Sequence, residues 1–98
     1  MSSASTHRTK KQLGQHFLHA GDVVERIVRA IDPKPGEKLV EIGPGAGAQT
    51  VPLLRRILAV ATSAFDEAQP ALVVIEFDRD LIAELDRIHR EVAPIEII

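Results

Sequence analysis

The chain contains no cysteine, no tryptophan and no tyrosine, and three phenylalanines are its only aromatic rings. Without cysteine, a disulfide framework and a thiolate zinc site are both excluded. The four histidines, His7, His16, His19 and His89, form no close ligand pair backed by carboxylates, so no metal is expected. No apolar run approaches the roughly 20 residues of a membrane span, and the first residues lack the apolar core of a secretory signal. A cytoplasmic protein without membrane contact is the expectation. What is present suits one small globular domain: 98 residues, 45% apolar and 27% charged.

The net charge of −2 is unevenly spread. Residues 1–19 hold Arg8, Lys10 and Lys11 and no acid, so the remaining 79 residues are more acidic than the average suggests. A basic arm on an acidic body hints at contact with a polyanion, and an ordinary solvated tail explains the same pattern. The arm is rich in Ser and Thr and has no hydrophobic period, which predicts a flexible segment at 1–19 followed by a folded unit at 20–98.

Beyond the arm, Val23, Val24, Ile27, Ala30 and Ile31 recur at helical spacing, with Asp22 placed as an N-cap and Pro33, Pro35 and Gly36 as a stop. "KLVEIG" predicts a strand ending at glycine. "AQTVPLLRRILAVATSAFDEA" predicts a helix with Pro52 in its first turn, fraying into a loop. "ALVVIEFD" is continuously apolar, which predicts a strand buried on both faces. "RDLIAELDRIHREV" carries Leu81, Leu85, Ile88 and Val92 on one helical stripe, with Asp78 and Asp80 as candidate caps. "APIEII" starts a third strand. Strand, helix, strand, helix, strand is the pattern of a parallel sheet with crossover helices. Such domains usually have five or more strands, so an N-terminal piece of a larger domain is expected.

Chemistry concentrates in "VEIGPGAGAQT", residues 40–50. Gly43, Gly45 and Gly47 stand at alternate positions between a strand and a helix, where backbone N–H groups approach a ligand closely. No Gly-Lys-Ser/Thr follows, which excludes a phosphate-binding P-loop. Gly43, Gly45 and Ala48 formally meet the dinucleotide fingerprint, but its acidic partner should lie about 20 residues on. Glu76 is the acid that ends the next strand, at a larger separation than that. Glu41, two residues before Gly43, shares its strand face and would repel a pyrophosphate. A carboxylate there suits a ligand with a cationic end, such as S-adenosyl-L-methionine, while Glu76 can accept from both hydroxyls of an adenosine ribose. A purely structural turn at Gly43–Gly47 and a surface charge at Glu41 remain the alternatives, as does a nicotinamide-dependent oxidoreductase of Rossmann fold.

"EIGPGAGAQT" followed by "VIEFDRDL" resembles motifs of the class I S-adenosylmethionine-dependent methyltransferases, whose fold is Rossmann-like α/β. "KKQLGQHFL" upstream narrows the likeness to the ribosomal RNA adenine dimethyltransferases. The resemblance runs from about Lys10 to Ile98. It implies transfer of methyl groups to N6 of two adjacent adenines near the 3′ end of small-subunit rRNA, in the rRNA or a pre-ribosomal particle. It also implies methyl-donor contacts from His16 and Leu18 in the arm, from Glu41, Gly43, Gly45 and Gly47 in the loop, and from Glu76. Lys10 and Lys11 would touch rRNA phosphates. Many members have Asn where this chain has His16, and the region between Leu53 and Ala71 looks longer than in common members. Phe17 and Leu18 could equally pack the arm onto the domain. The family's acid after the third strand and its Asn-Leu-Pro-Tyr segment do not occur in these 98 residues, so the chain by itself is expected to bind the donor without catalysing transfer.

Overall fold

A computed structural model describes residues 20–98, so the expectations on Lys10, Lys11, His16, Phe17 and Leu18 fall outside the described residues. Helix α1 spans Ala20–Ile31, strand β1 Val40–Ile42, helix α2 Thr50–Val60, strand β2 Leu72–Ile75, helix α3 Ile82–Glu91 and strand β3 Ile95–Ile97; a single 3-10 turn, Arg79–Leu81, leads into α3. The strands form one parallel sheet in the order β1-β2-β3. This is the α/β arrangement read from the sequence: three parallel strands, with α2 and α3 in the two connections.

Register decides which side chains meet. Glu41 lies opposite Val74, and Val40 and Ile42 lie opposite Val73 and Ile75; Leu72 and Val74 pair with Ile95 and Ile97. Side chains alternate across a strand, so Glu41, Val74, Leu72 and Ile95 share one face. That face is the core side: Leu72, Val74 and Ile95 join Leu53, Leu54 and Ile57 of α2 and Leu85 and Ile88 of α3 in one buried cluster. Leu85 and Ile88 are fully buried, as their helical stripe predicts.

The opposite face departs from expectation. Val73 and Ile75 are only half-buried, while Val40 and Ile42 are 57% and 74% exposed. The continuous apolar run of β2 is therefore covered on one side alone, because both connecting helices pack on the core face. The α1 stripe also differs from its pattern. Val28 is the α1 residue that enters the core, while Ile27 and Ile31 stay exposed beside the edge of β1. Asp22 lies inside the first turn of α1 rather than ahead of it. The helix ends where Asp32 takes a left-handed φ of +48° and its N–H returns to Val28 O at 3.0 Å, the bond of an αL cap, with Pro33 next. Helix α2 stops at Val60, earlier than its apolar pattern runs, because Ala61 turns to extended backbone.

Candidate functional site at the carboxyl end of the sheet

The glycine loop leaves β1 under tight backbone control. Gly43 N–H donates to Ile75 O at 2.8 Å, which carries the β1–β2 ladder one residue past the strand. Gly43, Gly45 and Gly47 then adopt φ of +69°, +60° and +92°, a region that costs any side chain with a Cβ. Gly47 N–H closes the turn on Pro44 O at 3.0 Å, and Val51 N–H bonds Gly47 O as α2 begins.

The three glycines do different work. A Cβ on Gly43 or Gly45 would meet no atom within 4 Å, so the loop there faces open space on its outer side. A Cβ on Gly47 would lie 2.4 Å from Ile88 Cδ1. Gly47 is buried, and its missing side chain lets α3 pack directly on the loop. Gly43 and Gly45 are thus the positions with room for a ligand, and Gly47 is where the loop meets the core.

Two carboxylates hold the loop from either end. Glu76 follows the last residue of β2, where open α/β sheets present their ligands. Its Oε1 accepts Gly45 N–H at 2.9 Å and its Oε2 accepts Asp78 N–H at 3.0 Å. These backbone bonds, that from Asp78 first, pull the Glu76 carboxyl below the ordinary glutamate value, so it is ionised at neutral pH. A carboxylate oxygen has two lone pairs, so each oxygen keeps capacity for one hydroxyl donor. At the base of the loop, Thr50 Oγ1 donates to Glu41 Oε1 at 2.6 Å. Thr50 is fully buried, the one polar residue among the buried described residues. Burial raises the Glu41 carboxyl above its ordinary value, and the Thr50 bond partly offsets this.

Beside the loop a groove of about 640 Å³ opens between α1 and the free edge of β1. Val23, Val24, Ile27 and Ile31 form one wall, and Glu41, Gly43 and Pro44 lie on the other. Asp78, as its sequence position suggests, is a cap: its side chain accepts Asp80 N–H at 2.9 Å ahead of the 3-10 turn. No group of three potential metal ligands occurs among the described residues, and no helix among them is long and apolar enough to cross a membrane.

The structure therefore brings Glu41, Gly43, Gly45 and Glu76 together around one loop. Sequence reasoning passed over Thr50. Its signal there was slight, a lone hydroxyl at the start of an apolar helix, and its partner nine residues earlier is visible only once the strand and helix are laid side by side.

This loop, with its two flanking carboxylates, lies within a longer match. A model of the family described as ribosomal RNA adenine dimethylase covers residues 6–98. The chain belongs to that family. It is 48% identical over 98 residues to the ribosomal RNA small subunit methyltransferase A of Xanthomonas campestris pv. campestris, and 47% identical to the protein of the same name from Xanthomonas oryzae pv. oryzae. Both alignments cover 100% of the chain and 33% of the relative, so the chain spans about one third of the length of these curated relatives. The matched span takes in most of the arm, the glycine loop and the acid after β2.

Proposed function

We propose that the chain is the methyl-donor-binding part of an rRNA adenine N6-dimethyltransferase that uses S-adenosyl-L-methionine. One observation carries this reading: an ionised carboxylate, Glu76, stands at the end of β2 with both oxygens fixed by backbone N–H groups, next to two glycines that face open space. The residues present suit the donor. Glu76 offers acceptors for two ribose hydroxyls. Glu41 offers a negative charge for a cationic amino-acid end, and Gly43 and Gly45 leave room for close approach. His16 and Leu18 complete the proposed contact set from the arm, whereas Gly47 serves through packing on Ile88.

When bound, S-adenosyl-L-methionine supplies an electrophilic methyl group. The chain's own contribution is orientation, because both carboxylates and the loop backbone are held before any ligand arrives, and pre-placed groups lower the entropic cost of reaction. In the proposed whole enzyme the target adenine, taken from small-subunit rRNA or a pre-ribosomal particle, leaves its stack to reach the methyl group. Lys10 and Lys11 would add phosphate contacts, so Lys10→Ala/Lys11→Ala should lower rRNA affinity and flatten its salt dependence. An unchanged salt slope removes that assignment.

Calorimetry with S-adenosylhomocysteine and with NAD tests the reading. Saturable binding of the first and none of the second is the expected result. Binding of NAD alone would move the protein to the oxidoreductases.

A further inference from the structure

Among the described residues, Glu41 is the only charged side chain lining the groove beside β1. Helix α1 offers it valine and isoleucine, α2 offers Leu53, and the loop offers Gln49. Across the ladder its register partner is Val74, so among the described residues these elements present nothing titratable to it. Among the described residues the Glu41 carboxylate has one hydrogen-bond partner, the hydroxyl of Thr50, and that bond engages Oε1 alone. Thr50 has no exposed surface, and it begins the helix that follows the glycine loop. The bond thus ties the end of β1 to the start of α2 across the base of the loop, while Glu76 ties Gly45 from above.

We propose that Thr50 is a positioning residue of the methyl-donor site: its buried hydroxyl fixes Oε1 of Glu41 and leaves Oε2 turned to the cationic end of the ligand. This rests on the proposed methyl-donor function. A carboxylate in an apolar groove resists ionisation, and a hydrogen-bond donor aimed at it favours the charged form. Thr50 therefore shifts Glu41 toward its charged form as well as orienting it. Any helix-compatible residue could fill the space, but a hydroxyl on a β-branched side chain supplies the donor and the stiff χ1 that aims it.

The test compares Thr50→Val, which keeps the shape and removes the donor, with Thr50→Ser, which keeps the donor, in the full-length enzyme. Two readouts are taken. The titration midpoint of the Glu41 carboxyl, followed by carbon-13 NMR without ligand, should rise in Thr50→Val and stay near wild type in Thr50→Ser. S-adenosylhomocysteine affinity should fall about tenfold in Thr50→Val, recover as pH rises, and be largely restored by Thr50→Ser. If Thr50→Val does not melt cooperatively, Thr50→Ala takes its place and the same upward shift is required of it. An unmoved Glu41 midpoint in the donor-less variant overturns the proposal, and so does an affinity loss that is flat with pH and not rescued by serine. Failure of wild-type enzyme to bind S-adenosylhomocysteine would instead count against the methyl-donor function, and the NMR midpoint would still decide the role of Thr50.

Discussion

Two carboxylates two residues apart after β2, Glu76 and Asp78, allow a direct test of which one serves the ligand. Both accept a backbone N–H from nearby chain, and both are ionisable. The geometry separates them. Glu76 reaches back to Gly45, 31 residues away, and so faces the glycine loop, whereas the Asp78 carboxylate accepts the N–H two residues ahead. A hydrogen bond to a charged acceptor contributes on the order of one to two decades in a binding constant. In a site open to water only part of that survives for two ribose hydroxyls, so Glu76→Ala should weaken S-adenosylhomocysteine at least about tenfold. Glu76→Gln should fall between, since the amide keeps one acceptor oxygen and loses the charge. Asp78→Ala removes a cap, which costs about 1 kcal/mol of stability, and should change affinity little. Isothermal calorimetry of the three variants in the full-length enzyme, with a urea melt of each, measures both quantities. A larger affinity loss in Asp78→Ala than in Glu76→Ala would refute the assignment. The pH sign is also set: because the native Glu76 carboxyl lies below its ordinary value of 4.5, its stabilisation is complete above that value and is lost as pH falls through the native one.

Gly47→Ala should destabilise the fold by about 1–3 kcal/mol, because its Cβ overlaps Ile88 Cδ1 and its φ is positive; adding Ile88→Val, which removes that atom, should recover part of the loss in a double-mutant melt, and strict additivity would show that the contact is not the cause. Glu41→Gln should show the opposite pH sign to Glu76. The raised native carboxyl holds its proton where the unfolded chain has released it, so wild-type stability falls as pH rises above 4.5 toward the native value, and urea melts at pH 4 and pH 7 should show the glutamine variant gaining relative to wild type at the higher pH. The isolated 98-residue chain should self-associate, since β1 has a free edge and Val40 and Ile42 expose apolar surface; light scattering should show Val40→Lys shifting the population toward monomer, and a wild-type chain that is already monomeric with a sharp melt would contradict the argument.

Much of this was legible in the chain itself. Alternation, helical spacing and turn residues located every described strand and helix, because these depend on interactions between residues near in sequence. The glycine loop and Glu76 could be singled out for the same reason: a strand that ends in glycine or in a carboxylate announces what its tip presents. The tertiary structure alone settled which neighbours share a space. Composition made β2 a two-sided core strand, but both crossing helices lie on one face, so Val73 and Ile75 remain half-buried beside exposed Val40 and Ile42. Three glycines of identical spacing looked equivalent until Ile88, 41 residues on, was found filling the space at Gly47. Thr50 gave only a slight signal until register placed Glu41 on the core face beside the start of α2. In each case the deciding contact joins residues far apart in the sequence, and which of them meet is set by how helices and strands pack together, a choice no local pattern encodes.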